Sequence, residues 1–101
     1  MPKGYVIFTE DIHDKAQIDA YAQLAVPTIL QAGGKILVVD DAHEQIEGSW
    51  HGTRTVVLEF ESVEAARNWY TSSEYQDCAG LRHAAADNKA AIVAGFEMPT
   101  G

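Results

Sequence analysis

Two polar side chains in the last third of the sequence could act together on a ligand. Tyr75 and Arg82 are seven residues apart, so they share one face of the helix predicted for that segment. An arginine at this position could bind a carboxylate or an enolate, and the tyrosine could donate a hydrogen bond to a developing oxyanion. We therefore predict that Tyr75 and Arg82 orient a ligand, and both are catalytic candidates.

Further candidates lie around a strand predicted in the middle of the chain. His51 and Arg54 come at the start of this strand, Glu59 comes near its end, and Trp50 is on the preceding loop. We predict that Trp50 and Arg54 contact the ligand and that His51 or Glu59 moves a proton. His51 and Glu59 thus complete the set of catalytic candidates.

The arginines and Trp50 also have a structural interpretation. A buried ion pair could tie the last helix to the sheet, with an arginine, Arg82 or Arg54, joined to an acid, Glu59 or Asp87. Trp50 is equally typical of a tryptophan that clamps a subunit interface. The structural interpretation is favoured in both cases.

The four histidines do not form a recognisable metal site. They occupy positions 13, 43, 51 and 83, and none falls in an H-x-H, H-x-x-x-H or H-E-x-x-H arrangement. The only predicted helical pairing is His83 with Asp87, four residues further on. We expect no metal and no other cofactor. His51, beside a glycine, is the best single candidate for a haem ligand, but an exposed loop histidine without a role is the favoured interpretation.

Length and charge exclude several classes of partner. The chain has 101 residues, and we predict one domain over residues 1–101 with a short flexible tail at 98–101. Lysine and arginine number 7 against 15 acidic residues, a formal charge of −8, and the basic residues are scattered. We therefore expect neither nucleic acid nor a membrane surface as partner. Gly33-Gly34 ends a predicted helix instead of opening one, so no phosphate-binding loop is predicted.

The compartment is predicted from two absences in the sequence. Cys78 is the only cysteine, so no internal disulfide can form. The first residues lack an apolar signal core, and no run approaches the roughly 18 apolar residues that would span a bilayer. We predict a cytoplasmic protein.

Hydrophobic periodicity predicts four strands and three helices. The strands cover residues 5–9, 35–40, 53–60 and 89–97, and segment 44–47 could be a short edge extension. The first helix has Asp14 as N-cap and ends at Gly33-Gly34, and Pro27 should bend it or split off its last turn. Ser62 is predicted to cap a second helix. A capping box from Ser73 to Gln76 is predicted to start a third, which runs to about Ala86.

This order of elements predicts an α+β protein with a ferredoxin-like βαββαβ sandwich. The helices can cover only one face of a four-stranded sheet, yet the strands carry apolar residues on both faces. Self-pairing is the simplest way to cover the second face, so we predict a homodimer in which the two sheets form an α/β barrel.

The sequence also resembles a known family over residues 5–96. The matching residues are Gly33-Gly34, Glu47 to Trp50, Arg54, Val57 to Phe60, Ser62 to Ala66, Trp69-Tyr70, Ser73 to Tyr75, and Arg82. They resemble the bacterial domain-of-unknown-function family DUF1330 in the dimeric α/β-barrel superfamily. The resemblance implies a barrel-forming dimer, but it selects no reaction, since the superfamily includes cofactor-independent monooxygenases, isomerases, haem-handling enzymes and stress-induced proteins.

Two functions follow as expectations. The first is binding of a small apolar or aromatic metabolite in a subunit cavity, with cofactor-independent monooxygenase or isomerase chemistry. The alternative is a non-enzymatic binding module with a stress-related or regulatory role, in which the polar residues serve only the structure.

Overall fold

A computed structural model of the chain describes residues 2–99 and has the predicted order of elements. The elements are β1 (Gly4–Ile12), α1 (Lys15–Gln31), β2 (Lys35–Asp40), β3 (Arg54–Phe60), α2 (Val63–Thr71), α3 (Ser73–Ala85) and β4 (Ala86–Ala94). The strands form one sheet in the order β2-β3-β1-β4, and all neighbouring pairs are antiparallel. The predicted α+β, ferredoxin-like fold is confirmed.

Side-chain caps begin all three helices, and one of them differs from the prediction. Asp14 and Ser62 accept hydrogen bonds from backbone N–H groups three residues further on, as predicted. The cap of α3 is Ser72, whose Oγ accepts from the Tyr75 backbone N–H, so the predicted cap at Ser73 is wrong. Gln76 does not close a capping box, because its amide donates to the Tyr70 carbonyl at 2.6 Å.

The first helix ends as predicted but is not divided by its proline. Gly33 has a φ of 78°, and the N–H of Gly34 bonds to the Ile29 carbonyl at 2.9 Å, which closes the C-terminus. The helix is continuous from Lys15 to Gln31 with Pro27 inside it. The expectation that Pro27 splits off the last turn is therefore wrong.

The last strand begins three residues earlier than predicted. Two backbone N–H groups from the end of β1, those of His13 and Asp14, bond to the Ala85 carbonyl at 2.9 and 3.1 Å. The Ala85 carbonyl thus has hydrogen-bond donors that do not belong to the helix, so α3 can end at Ala85. The next residue, Ala86, is fully extended. Asp87 is thus in a strand, and the predicted helical pairing of His83 with Asp87 is wrong.

Two remaining predictions concern segments outside the regular elements. Residues 44–47 are irregular, so the expected edge extension of the sheet does not form. Of the tail predicted at 98–101, Met98 and Pro99 are in irregular structure, and Thr100 and Gly101 lie outside the described residues.

The core lies between the helices and one face of the sheet. Alternate residues of β1, Val6 and Phe8, face the helices together with Leu58 and Phe60 of β3. Trp69 is almost fully buried and stacks on Phe60 with ring centroids 5.4 Å apart, so it belongs to the core.

The opposite, open face of the sheet carries apolar side chains that no helix covers. Ile7 of β1 lies between Val57 of β3 and Ala91 of β4, and Val38 and Val93 extend this surface to the two edge strands. Val38 is 39% exposed and Val93 41%. None of the helices within residues 2–99 is both long and apolar enough to cross a membrane.

Candidate functional site

One end of the helix-facing side of the sheet is polar, whereas the rest of that side is apolar. Glu10 lies directly opposite Arg54 on β3 and Asn88 on β4. In the next rows, Phe8 is opposite Val56 and Val6 is opposite Leu58. Glu10 is therefore in phase with the core residues of β1 and points to the same side.

A cavity of about 90 Å³ lies between α1 and this side of the sheet. Its walls are mainly aliphatic and aromatic, and three polar residues contribute to them: Glu10, Tyr21 and Arg54. The cavity is smaller than the engineered apolar cavity of roughly 150 Å³ that holds benzene. It can accept a small group without a large rearrangement of the core.

Glu10 is a buried acid without a partner. The residue is 3% exposed, and within residues 2–99 its carboxylate forms no hydrogen bond or salt bridge. Burial raises the pKa of Glu10, while the positive charges of Arg82 and Arg54 oppose that rise. A carboxyl group with a raised pKa that faces a cavity can accept and return a proton.

A hydrogen-bonded chain connects the last helix to this cavity, and we call it the arginine–tyrosine chain: Arg82, Tyr75 and Tyr21. The Arg82 Nε–H donates to the Tyr75 hydroxyl at 3.1 Å, and the hydroxyls of Tyr75 and Tyr21 are 2.8 Å apart. The predicted common face of Tyr75 and Arg82 is confirmed. Of the three residues only Tyr21 lines the cavity.

The chemistry of the donors fixes a preferred direction for this chain. The Nε of arginine can only donate, so the Tyr75 oxygen accepts. If Tyr75 then donates to Tyr21, the Tyr75 proton has an acceptor and the Tyr21 proton is left for a cavity ligand. The reverse direction would leave the proton of the fully buried Tyr75 without an acceptor, which is costly. Tyr21 thus offers the cavity a donor polarised by a buried cation.

Arg82 is held in the core mainly by aromatic groups. It is 2% exposed, its guanidinium carbon lies 4.6 Å from the centre of the Phe8 ring, and its Nη2 is 3.3 Å from the His83 Nε2. Burial raises the pKa of both Tyr21 and Tyr75, so both hydroxyls stay protonated at neutral pH.

Arg54 lines the cavity but is paired with an acid at its edge. Its Nε and Nη2 donate to the two carboxylate oxygens of Asp41 at 2.6 and 3.0 Å. These hydrogen bonds lower the pKa of Asp41. The predicted alternative, an ion pair of Arg54 or Arg82 with Glu59 or Asp87, is wrong.

The open face, away from the cavity, carries four residues that were considered in the sequence: Trp50, His51, Glu59 and Asp87. The Nδ1 of His51 is 2.7 Å from the Thr9 hydroxyl, and its Nε2 is 3.6 Å from an Asp87 oxygen. The indole N–H of Trp50 donates to Thr55, and Glu59 accepts from the Tyr5 hydroxyl. Successive residues of a strand point to opposite faces, so Glu59 points away from the side that its neighbour Leu58 faces. His51 lies on the same open face, against Thr9. The sheet therefore separates His51 and Glu59 from Tyr75 and Arg82.

The sequence analysis missed two residues that face the cavity. Glu10 lies just beyond the strand predicted at 5–9, although its two-residue spacing from Phe8 and Val6 marks it as inward-facing. Tyr21 lies on the buried face of α1 with Ile18 and Ala25, a position typical of core packing. In both cases the spacing from neighbouring buried residues, two in a strand and three or four in a helix, indicates that the side chain faces the core.

The part of the chain that the structure describes contains no group of three or more His, Cys, Asp or Glu side chains that could hold a metal ion. The nearest arrangement is the contact of His51 with Asp87. His51 is half-buried and hydrogen-bonded to Thr9, so the favoured interpretation of an exposed histidine without a role does not describe it.

Comparison with known proteins identifies the family. Residues 3–96 match the family described as Domain of unknown function (DUF1330). The chain belongs to this family. No curated protein sequence matches it.

Solved structures share the fold of this DUF1330 chain. A protein of unknown function from Rhodopseudomonas palustris has a TM-score of 0.75 and 15% identity, covering 96% of this chain and 85% of its own. A mutant of SnoaB, a cofactor-independent oxygenase from Streptomyces nogalater, has a TM-score of 0.70 and 8% identity, and the match covers 97% of both chains. A Caulobacter crescentus protein, provisionally assigned as an antibiotic biosynthesis monooxygenase, has a TM-score of 0.62 and 9% identity, and the match covers 95% of this chain and 92% of its own. At these identities the likeness shows the fold alone.

Proposed function

We propose that this protein binds a small aliphatic metabolite in the cavity between α1 and the sheet, and that Glu10 takes a proton from it; a cavity of about 90 Å³ is too small for the aromatic ring that the sequence also allowed. The observation that carries the proposal is the buried, unpaired carboxylate of Glu10 facing a mainly apolar cavity. Tyr21, at the end of the arginine–tyrosine chain, stabilises the oxyanion that forms. Glu10 replaces His51 and Glu59 as the proton-transfer group in this proposal.

The reaction class is proton abstraction from the carbon next to a carbonyl group. A C–H bond breaks, the proton passes to Glu10, and the electron pair is delocalised onto the carbonyl oxygen that Tyr21 faces. Return of the proton at another carbon completes an isomerisation. In a second route the same carbanion is oxidised by dioxygen: a C–O bond forms, and the resulting peroxide anion takes the proton back from Glu10 to give a hydroperoxide. The shared fold with SnoaB, a cofactor-independent oxygenase, supports this route.

Exchange of hydrogen for deuterium tests the proposal without knowledge of the natural substrate. Small neutral ketones, including pentan-2-one and cyclopentanone, are incubated with the protein in D2O, and the loss of their α-proton signals is followed by NMR. We expect faster exchange with the wild type and the uncatalysed rate with Glu10→Gln. Glu61→Gln is the matched control, because the Glu61 side chain is exposed and pairs with Lys3 at the surface. Exchange that is equally fast in Glu10→Gln would refute the role of Glu10.

Binding without exchange would instead favour the non-enzymatic alternative. In that outcome a ketone shifts the NMR signals of cavity residues such as Tyr21 and Ala25, but the α-protons exchange only at the uncatalysed rate. The arginine–tyrosine chain would then serve ligand recognition and stability alone.

We further propose that the protein is a homodimer joined through the open face of its sheet. Ile7, Val57 and Val93 give this face an apolar centre that the helices leave uncovered, and a second copy of the same face would bury it in a twofold-symmetric interface. Sedimentation velocity at micromolar concentration tests the proposal. We expect a species of twice the chain mass of 11.0 kDa, and a folded monomer would contradict it.

A further inference from the structure

A second depression, which we call the vestibule, adjoins the cavity at Arg54. It has a volume of about 300 Å³, is more open than the cavity, and lies between the end of β1, the start of α1 and the residues around Asp41. Ile18 and Arg54 line both spaces. The cavity and the vestibule therefore meet at Ile18 and Arg54, and a ligand held in the cavity could also reach the guanidinium of Arg54.

The vestibule gathers basic groups in an otherwise acidic protein. Arg54, Lys15 and His13 all line it, although the chain has only seven lysines and arginines and a formal charge of −8. Each of the two cations already has an acid beside it: Asp41 pairs with Arg54, and Asp19 lies 3.3 Å from the Lys15 ammonium, while Glu10 lies opposite Arg54. An anion that enters the vestibule therefore binds by exchange with one of these carboxylates.

The pairing of Arg54 with Asp41 can be exchanged for pairing with a ligand. The Asp41 side chain is 59% exposed, so water can solvate it when it leaves, whereas the Arg54 side chain is only 18% exposed. A ligand carboxylate has the same two-oxygen geometry as Asp41, so it can take over both hydrogen bonds to the guanidinium. Asp41 holds Arg54 in position until such a ligand arrives.

We propose that the ligand is a small oxo acid, that is, a carboxylate that also carries an enolisable carbonyl group. This inference rests on the proposed function and adds the charge and size of its substrate. The carboxylate replaces Asp41 on Arg54, the carbonyl oxygen accepts from Tyr21, and the carbon chain fills the cavity. Because the cavity is smaller than one that holds benzene, the carbon chain is a short aliphatic one.

The reaction on such a ligand balances without an oxidant. The C–H bond next to the carbonyl breaks, and the proton passes to the Glu10 carboxylate. The electron pair forms the C=C bond of an enolate while the carbonyl π electrons move to the oxygen that Tyr21 faces. In D2O, Glu10 exchanges its proton with solvent and returns a deuteron to the carbon.

A pair of probes that differ only in charge tests the inference. They are 2-oxopentanoate and pentan-2-one, which have the same chain with a carboxylate or a methyl group beside the carbonyl. We expect the protein to accelerate exchange at C3 of 2-oxopentanoate at least about tenfold more than exchange of pentan-2-one, each relative to its uncatalysed rate. Equal acceleration of the two probes would overturn the oxo-acid assignment while leaving the proposed function in place. Acceleration of neither would overturn both.

Two substitutions at the vestibule should act in opposite directions. We expect Arg54→Gln to raise the KM for 2-oxopentanoate about ten- to a hundredfold, since a charge-assisted pair with the carboxylate is lost. Asp41→Asn removes the competing carboxylate and should lower that KM. Arg67→Gln, an exposed arginine of α2, is the matched control and should leave the KM unchanged. An Asp41→Asn variant that is folded by circular dichroism but has a higher KM would overturn the exchange of carboxylates.

Discussion

Replacement of Tyr75 by phenylalanine tests the arginine–tyrosine chain by removing one atom from its centre. The Tyr75 oxygen accepts from Arg82 at 3.1 Å and is 2.8 Å from the Tyr21 oxygen, and the residue is fully buried. A hydrogen bond to a charged group contributes about 1.5–3 kcal/mol and a neutral one about 0.5–1.5 kcal/mol. Loss of both predicts a decrease of about 2–4.5 kcal/mol in the free energy of unfolding.

The measurement is urea unfolding followed by circular dichroism at one fixed protein concentration. For a domain of this size, each kcal/mol corresponds to about 4–8 °C, so the melting temperature should also fall by at least about 8 °C. Tyr70→Phe is the matched control, because Tyr70 packs against Tyr75 but its hydroxyl has no hydrogen-bond partner within residues 2–99. Its effect should stay within about 0.5 kcal/mol. A Tyr75→Phe variant as stable as the control would refute the chain as a stabilising element.

Four further predictions concern the site, the caps and the dimer. The deuterium exchange rate should rise with pH through a midpoint above the ordinary carboxyl value of about 4.3, because only the ionised Glu10 accepts a proton and burial raises its pKa. Ser72→Ala should lower the free energy of unfolding by about 1 kcal/mol in the same urea assay, since the cap of α3 is lost. Gly52→Ala should destabilise the fold by at least about 1–2 kcal/mol: Gly52 has a φ of 76°, and its Cβ would lie 2.6 Å from the Glu10 backbone. Ile7→Lys, at the centre of the open face, should give a folded monomer in sedimentation velocity if the proposed dimer forms there.

The element order was predictable because each element carries its own local signal. Runs of β-branched and aromatic residues marked the strands, and the side-chain oxygens of Asp14 and Ser62 marked the starts of two helices. For the start of the last strand, where the prediction was wrong by three residues, the deciding interaction came from elsewhere in the fold. The Ala85 carbonyl bonds to the backbone of His13 and Asp14, and no local pattern near residue 85 reveals that contact.

The candidate site could be predicted only in part from the sequence, because the strands carry apolar residues on both faces of the sheet. The sequence therefore does not indicate which face the helices cover. Tyr75 and Arg82 were paired correctly from helical spacing. The packing of the helices decides which face of the sheet Tyr75 and Arg82 meet. They meet the face that carries Glu10, whereas Glu59 lies on the other face. Glu59 is one residue out of phase with the buried Leu58 and Phe60, so it points to the open face.

The most direct test of the proposed site is an NMR titration of the Glu10 carboxyl carbon in protein labelled with ¹³C-glutamate. The Glu10 signal is assigned by its absence in Glu10→Gln. A buried carboxylate that faces the cavity predicts a midpoint above the ordinary value of about 4.3 and a shift of the signal when 2-oxopentanoate is added. An ordinary midpoint together with no response to 2-oxopentanoate or to pentan-2-one would contradict a ligand site at Glu10.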